Sequence, residues 1–414
     1  MSKRANGDGT FYFDEAKQIY RAMITTPAGN RLTKSSKDED VVKDWLNEQR
    51  LLIGRDQHVE PNTLTLTNWL MIWLETYSRP PKVRQRTYER YQSLIPHAET
   101  IGHIPIQKIT PVHLQKLYNF LHEEGFSGET CKKVHTIIRS AFERAVINRY
   151  MQSNPSDLVD PPKVTRSEIE IFQRKEIDLL LKHAASHRLY AAILLAVTTG
   201  MRLGEVLGVR WRDIETDNKI VHVRQNLQMT NAGIIFEPPK TEKGKRRIPL
   251  PPQTIAALNE YRKKWAESRL KYPVTDEFKE KYPNNDDLVF VTNNHMPLHP
   301  KNFTVRFWNR IQEYAEFDMN KTEIPNPRST KIKLTDALKN CRQHSEWKQF
   351  NRKNFHVLRH TYATTLLASG APIVDVSRVL GHAKVSTTLD IYGHAIPEKL
   401  NDLADRIAGA LLQK

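Results

Sequence analysis

Proline-rich breaks near residue 160 constrain the fold of this chain more than any other feature. Asn154-Pro155 and Pro161-Pro162 end a helical pattern over residues 62–155, because proline lacks a backbone N–H and clashes inside a helix. Charge is also uneven: residues 164–414 hold 40 Lys and Arg against 28 Asp and Glu, in a chain whose net charge is +16. The sequence therefore predicts a multidomain protein whose last domain carries most of the positive charge.

Residues 1–58 are predicted to form a small α+β domain. Aromatic and β-branched residues favour three strands, which are expected at residues 10–13, 18–25 and 31–34. Ser36 and Glu39 match a capping box that opens a helix. Its apolar face would hold Val41, Val42, Trp45, Leu46 and Leu52. Such a sheet could enter a DNA groove; the pattern leaves a protein-contact module equally open.

Residues 59–160 are predicted to form an all-α domain, because apolar residues recur at helical spacing. Thr110-Pro111 has the form of an N-cap followed by proline at the first helical position. Six basic residues are candidate DNA-backbone contacts: Arg84, Arg86, Arg90, Lys132, Lys133 and Arg139. A solvated helix surface is the alternative for these charges, and a phosphate-tracking surface competes with it in a basic protein.

Residues 161–167 are the expected linker, and residues 168–414 are predicted to form a mainly α domain with a small antiparallel sheet. Strand-like alternation covers residues 219–250, and residues 395–414 carry a helical pattern typical of a tail helix. Residues 319–354 are polar and hold 9 Lys and Arg against 3 Asp and Glu. We interpret this segment as a basic insertion.

The bulk composition favours a nucleic-acid partner in a reducing compartment. A net charge of +16 and a pI near 9.6 indicate an anionic partner. The two cysteines, Cys131 and Cys341, form no CxxC pair or disulfide framework. Because no signal peptide or membrane-length apolar run is present, we expect a cytoplasmic protein, bound to the bacterial nucleoid when on DNA, and no membrane attachment.

Two isolated arginines, Arg202 and Arg359, suggest chemistry on a phosphodiester. The pentavalent transition state of phosphoryl transfer carries negative charge that fixed donors must meet, and the arginine fork suits this task. His356 lies one helical turn before Arg359. His356 and His360 could instead form half of a zinc site, but zinc catalysis favours a Glu near such histidines. We therefore expect no metal and no cofactor.

The nucleophile of such an enzyme is a hydroxyl or a thiol, and a tyrosine is plausible. Its pKa of about 10 makes phenoxide a usable leaving group, which keeps a covalent step reversible. Tyr362 and Tyr392 both lie near the motifs. Spacing alone does not choose between them, and either one could be a packed aromatic residue.

The ordered motifs resemble the tyrosine recombinases of the phage-integrase family. The set is Thr199-Gly200-Met201-Arg202 with Glu205, then Pro239-Lys240-Thr241, His356 with Arg359-His360, Leu380-Gly381-His382, and Tyr392 with His394. The resemblance implies that Arg202 and Arg359 grip the scissile phosphate and that His356 and His382 assist. It further implies that Tyr392 attacks to form a 3′-phosphotyrosine, that Lys240 on a β-hairpin protonates the leaving group, and that Glu205 and His360 support the site. Lys243 and Lys245 compete with Lys240 for its role, and with Arg246 they are candidate DNA contacts.

The resemblance also implies partners and an assembly. Residues 59–160 resemble a domain that binds core-site DNA, and residues 1–58 resemble the arm-site domain of temperate-phage or integrative-transposon integrases. The expected partners are double-stranded DNA with core and arm sites, three further copies in a homotetramer, a host DNA-bending protein and an excisionase. The alternatives are a type IB topoisomerase-like enzyme and a non-catalytic DNA-binding regulator.

Overall fold

The computed structural model describes residues 8–55, 58–164, 169–322, 334–343 and 345–396. The chain divides into two compact units, residues 1–166 and 167–414, and the division falls at the end of the expected linker. Within the first unit, the sheet and the helices that follow it have separate apolar cores. The boundaries of a three-domain division stay a prediction.

The first unit begins with a three-stranded antiparallel sheet covered by one helix, as predicted. The elements are β1 (Thr10–Asp14), β2 (Ile19–Thr25), β3 (Arg31–Ser36) and α1 (Glu39–Gly54). Ala22 and Ile24 of β2 pack against Val42 and Leu46 of α1. Two details of the prediction were wrong. The N-cap is Asp38, whose side chain accepts from the N–H of Asp40, and Val41 is exposed because it lies off the buried stripe.

The rest of the first unit is a bundle of helices. They are α2 (Leu66–Tyr77), α3 (Gln85–Leu94), α4 (Glu99–Gly102), α5 (Pro111–Glu123) and α6 (Gly128–Ile147). The apolar face of α6, with Val134, Ile138, Ala141 and Ala145 at helical spacing, is buried. Trp69 of α2 is buried beside it and donates its indole N–H to the carbonyl of Ala141, at 2.8 Å. The all-α prediction for this region is confirmed.

The second unit starts with helices and two small sheets. The helices are α7 (Arg174–Ala184), α8 (Tyr190–Thr199) and α9 (Leu203–Leu207). The strands are β4 (Ile214–Glu215), β5 (Ile220–Val223), β6 (Asn226–Thr230), β7 (Gly233–Glu237) and β8 (Arg246–Pro249). We expected one sheet over residues 219–250. Instead β4, β5 and β8 form one antiparallel sheet, while β6 and β7 pair with each other as a separate hairpin.

The remainder of the second unit is helical. Its elements are α10 (Pro252–Lys271), α11 (Asp276–Lys281), α12 (Pro300–Phe303), a π-helical turn (Thr304–Trp308), α13 (Asn309–Met319), α14 (Leu334–Cys341), α15 (Val357–Ala368), α16 (Ile373–Leu380) and α17 (Val385–Tyr392). The predicted tail helix falls almost wholly outside the described residues. In the described ranges, no helix has both the length and the apolar character that a bilayer crossing requires.

The segment expected to be a basic insertion is partly built into the second unit. Leu334 and Leu338 of α14 pack on Phe317 of α13. Arg342 bonds to the fully buried carboxylate of Glu316, with Nε 2.7 Å from Oε1. A buried carboxylate needs such a partner, so Arg342 has a structural role in the second unit.

Candidate active site

Arg202 stands at the junction between two helices. Gly200 ends α8 in the left-handed region, with φ of 62°, a conformation that glycine adopts without strain. Arg202 is then the N-cap of α9. Its N–H donates to Glu205 Oε2 at 2.9 Å, and its Nη1 lies 3.0 Å from Glu205 Oε1. The carboxylate therefore fixes both the backbone and the guanidinium of Arg202.

Glu205 is buried and shared between two arginines. Arg246 of β8 reaches the same carboxylate, with Nη2 2.8 Å from Oε2 and Nη1 3.0 Å from Oε1. Burial alone would raise the pKa of Glu205, but Arg246 and then Arg202 outweigh it and lower the pKa to about 2. The carboxylate is thus ionised throughout the neutral range, so the pair is more than the simple helix salt bridge that the sequence suggested.

Arg359 lies at the centre of the site and is only 2% exposed. Its Nη1 donates to the carbonyl of Gly200 at 3.0 Å and its Nη2 to the carbonyl of Leu380 at 2.6 Å. A guanidinium has five N–H donors, and three of those of Arg359 have no hydrogen-bond partner among the described residues. Burial, followed by repulsion from Arg202, lowers the pKa of Arg359 to about 9. The group stays charged at neutral pH.

His356 and His382 lie in the field of these arginines. Desolvation in the cleft, then repulsion from neighbouring charged groups that include Arg359 and Arg202, lowers the pKa of each imidazole to about 4. His382 is oriented by a 2.8 Å hydrogen bond between its Nδ1 and Thr388 Oγ1. A bound anion would relieve the mutual repulsion of the positive charges in this cleft, so the cleft suits an anionic ligand.

The lowered pKa values of His356 and His382, caused first by burial and then by repulsion, predict acid sensitivity. Between pH 7 and 5 the unfolded chain protonates its histidines near pH 6.5, whereas His356 and His382 stay neutral in the folded state. The unfolded state then binds more protons, so the free energy of unfolding falls as pH falls. We expect the melting temperature to drop by a few degrees between pH 7 and 5. The drop should shrink when both residues are replaced by Asn; an unchanged drop would assign the sensitivity to other groups.

Tyr392 ends α17, and its hydroxyl is held by a histidine. The phenolic oxygen lies 2.8 Å from Nδ1 of His360 on α15. Burial raises the pKa of Tyr392, although Arg359 and Arg202 oppose this effect, so the phenol is neutral at pH 7. Tyr362, the other candidate, packs its ring under Gly200, where an added Cβ would lie 2.5 Å from the ring. The structure thus gives Tyr362 a packing role at the end of α8.

The basic loop between β7 and β8 contains the competing lysines. Lys240 follows β7 in a bend, so its expected place on a β-hairpin was wrong. It is exposed and makes no hydrogen bond or ion pair to another described residue. Lys243 Nζ donates to the carbonyl of Ala383 at 2.9 Å, and Lys245 Nζ pairs with Glu242 at 2.9 Å. Of the three lysines, only Lys240 has no hydrogen-bond or ion-pair partner among the described residues.

Arg246 requires a correction. It was expected to contact DNA, but its side chain is only 3% exposed and is bonded to Glu205. A guanidinium that is buried and paired has no access to a DNA backbone. The strand pattern contained a signal for this, because Arg246 and Ile248 alternate with Arg247 and Pro249 and so lie on the buried face of β8.

Thr388 is a site residue that the sequence did not indicate. It is fully buried on α17 and orients His382. Nothing in its local sequence marks this role, because the contact exists only when α17 packs against the turn after α16.

The basic residues of the helical bundle cluster on two of its helices. Arg90 of α3 and Lys132 of α6 both lower the pKa of Glu129, behind the larger effect of its hydrogen bond to Lys133. The predicted contacts on the two helices therefore lie near one another. Arg139 is paired with Glu143 and Asp157, and Arg84 and Arg86 each have an interaction partner as well.

Comparisons with known proteins show the family of this chain. A family model described as "Phage integrase family" matches residues 170–399, more than half of the chain. A second, "Phage integrase, N-terminal SAM-like domain", matches residues 65–122. The "Tyrosine recombinase XerC-like" protein of Caldanaerobacter subterraneus subsp. tengcongensis is 27% identical over 437 residues, which cover 97% of this chain and all of the relative.

Solved structures share the fold. The Tn1549 transposon integrase in complex with a circular intermediate DNA has a TM-score of 0.66 at 19% identity, covering 83% of this chain and 100% of that one. A lambda integrase tetramer bound to a Holliday junction has a TM-score of 0.51 at 16% identity, covering 93% of this chain and 96% of that one. At these identities the likeness shows the fold. Together with the family models, it shows that the chain belongs to the phage integrase family and is a tyrosine-type site-specific recombinase, an enzyme that breaks and rejoins DNA strands.

Proposed function

We propose that Tyr392 attacks the scissile phosphate, which Arg202, Arg359, His356 and His382 hold. The observation that carries this assignment is the 2.8 Å contact between the Tyr392 hydroxyl and His360, one residue after the buried Arg359. It brings a tyrosine oxygen beside the arginine cluster, although the two motifs are 32 residues apart. The two arginines and two histidines of this cleft suit a phosphate whose negative charge grows during the reaction.

The proposed reaction is a transesterification. The phenolic oxygen of Tyr392 bonds to phosphorus, its proton passes to the neutral Nδ1 of His360, and the bond from phosphorus to the 5′-oxygen breaks. Lys240 donates a proton to that oxygen. The product is a 3′-phosphotyrosyl link and a free 5′-hydroxyl. A 5′-hydroxyl from a partner strand reverses the chemistry and reseals the DNA, so no cofactor supplies energy.

End-labelled DNA tests this reaction. With a duplex that carries the element's own core site, the protein should become attached to the 3′-phosphate side and release a 5′-hydroxyl end, and it should do so in EDTA because arginines meet the charge. Attachment to a 5′-phosphate, or loss of cleavage in EDTA, would contradict the proposal.

Lys240 is the proposed general acid, because it alone of the three loop lysines is free of a partner among the described residues. The proposal predicts a leaving-group signature. Lys240→Met should slow cleavage of normal DNA by roughly 10²–10⁴-fold. It should cleave DNA with a sulfur at the bridging 5′ position nearly normally, because a thiolate leaves without protonation.

Lys243→Met and Lys245→Met are the matched controls for Lys240. Both should slow cleavage less, and sulfur substitution should not restore their rates selectively. Suppose instead that Lys243→Met or Lys245→Met slows cleavage, that sulfur substitution restores its rate, and that Lys240→Met behaves normally. The general acid is then that other lysine.

We further propose that the first unit binds DNA at two kinds of site. The cations near Glu129 on α3 and α6 supply a surface for the core site. The sheet is covered by α1 on the face of Ala22 and Ile24, while Tyr12, Arg21 and Arg31 alternate onto the opposite face. That face suits a DNA groove at an arm site, which supports a role in moving an integrative element rather than in DNA relaxation.

The assembly belongs to the same proposal. The lambda integrase structure is a tetramer on a Holliday junction, and we propose that this chain also acts as a homotetramer on DNA. A host DNA-bending protein and an excisionase would set its direction, and the reaction would take place in the cytoplasm on nucleoid DNA. A type IB topoisomerase or a non-catalytic regulator would not require the arm-type sheet and the complete residue set together.

A further inference from the structure

We propose that Arg246 is a positioning residue for the phosphate site: it holds Arg202, through Glu205, and the end of α16 in one rigid arrangement. This inference rests on the proposed role of Arg202 and Arg359 in holding phosphate. From the sequence we expected Arg246 to contact DNA, and the resemblance assigned it no role in the chemistry.

The contacts of Arg246 reach three separate elements. It forms two hydrogen bonds to Glu205 at the start of α9. Its Nε donates to the carbonyl of Val379 in the last turn of α16, at 2.5 Å, and its Nη1 donates to the carbonyl of Gly244 before β8, at 3.2 Å. One planar group thus ties together α9, α16 and the basic loop.

The end of α16 links Arg246 to Arg359 and His382. Arg359 donates to the carbonyl of Leu380, the residue after the Val379 that Arg246 holds. Gly381 then turns the chain with φ of 70°, and His382 follows. A Cβ at Gly381 would lie 3.0 Å from Cδ and 3.1 Å from Nη1 of Arg246. The turn that presents His382 therefore packs directly on the Arg246 side chain.

The charges explain why an arginine is needed at this place. The Glu205 side chain is only 5% exposed and must be balanced by a cation, whereas the Arg202 side chain is 41% exposed. If Arg202 alone balanced Glu205, the ion pair would weaken its grip on phosphate. Arg246 neutralises the carboxylate from the buried side, which leaves Arg202 oriented but still cationic.

The test compares two neighbouring arginines. Arg246→Lys keeps the charge but cannot bond Glu205 and Val379 together, whereas Arg247→Lys alters an exposed residue on the other face of the same strand. The measurements are the first-turnover rate of covalent adduct formation on nicked core-site DNA, the dissociation constant for that DNA, and the melting temperature. Arg246→Lys should lose roughly 100-fold in rate with little change in DNA affinity, and Arg247→Lys should match the unaltered protein.

Repeating the test in a protein that already carries Arg202→Lys distinguishes a positioning role of Arg246 from a general effect on stability. In an Arg202→Lys protein, the further loss caused by Arg246→Lys should be about tenfold smaller, because coupled residues are non-additive. An equal loss in both backgrounds, or a normal rate for Arg246→Lys, would overturn the inference. If Arg246→Lys fails to fold, Glu205→Asp should show the same rate loss and the same dependence on Arg202, and a normal rate for that variant would overturn it too.

Failure of the inference differs from failure of the proposed function. The unaltered protein and Arg247→Lys must both form an adduct; if neither does, the proposed function is contradicted. If both do and Arg246→Lys is equally fast, only the positioning role is wrong.

Discussion

Replacing Tyr392 by Phe should abolish the covalent protein–DNA adduct while DNA binding persists. The substitution removes one oxygen from a buried ring and leaves the packing of α17 unchanged. Without that oxygen no phosphotyrosine forms, so strand cleavage should fall below detection, a loss of at least roughly 10⁴-fold. The measurements are adduct formation on a denaturing gel and DNA affinity in a mobility-shift titration.

Tyr362→Phe is the matched control for that experiment. Tyr362 lies two residues after His360 on α15 and is partly buried, and burial raises its pKa as it does that of Tyr392. Because the ring of Tyr362 packs on Gly200, removing its hydroxyl should leave most of the cleavage activity. An inactive Tyr362→Phe protein together with an active Tyr392→Phe protein would show that Tyr362 is the nucleophile and that Tyr392 only packs in the site.

Replacing Glu205 by Gln should have the largest effect on stability. Glu205 and Arg246 form an ion pair in which the side chains are 5% and 3% exposed. The change keeps the shape but leaves a buried guanidinium without a counter-charge, which typically costs about 3–5 kcal/mol. For a unit of this size that corresponds to a drop in melting temperature of roughly 6–20 °C.

Glu242→Gln is the control for this prediction. Glu242 pairs with Lys245 at the surface, and exposed pairs contribute about 0–1 kcal/mol. Its melting temperature should stay within a few degrees of the unaltered protein. If Glu205→Gln melts like Glu242→Gln, the buried pair is not the structural centre of the site.

Much of the fold was predictable because local patterns and tertiary structure agree. Aromatic and β-branched residues located the first three strands, and the apolar residues of α6 at helical spacing form its buried face. The separate β6–β7 hairpin was not predictable, because alternation shows that a segment is extended but not which strand it pairs with. The N-cap is Asp38 and not the predicted Ser36, because both residue types can cap a helix and only the position where the helix begins selects one of them.

The residues of the candidate site could be proposed from the sequence, but the contacts among them could not. The ordered motifs supplied Arg202, Arg359, His382 and Tyr392. They did not show that Glu205 meets Arg246, 41 residues away, or that His360 holds the Tyr392 hydroxyl. Alternation along β8 signalled that Arg246 faces inward, but the sequence did not show which carboxylate it meets. Nor did the sequence show that Lys240 is the loop lysine without a partner among the described residues.

The central claim is that Tyr392 becomes covalently bonded to DNA. The most direct measurement is to trap the adduct on nicked core-site DNA, digest protein and DNA, and locate the phosphonucleotide by mass spectrometry. The account predicts a modified peptide that contains Tyr392 linked to a 3′-phosphate. Modification of Tyr362, or of a serine or cysteine, would contradict it.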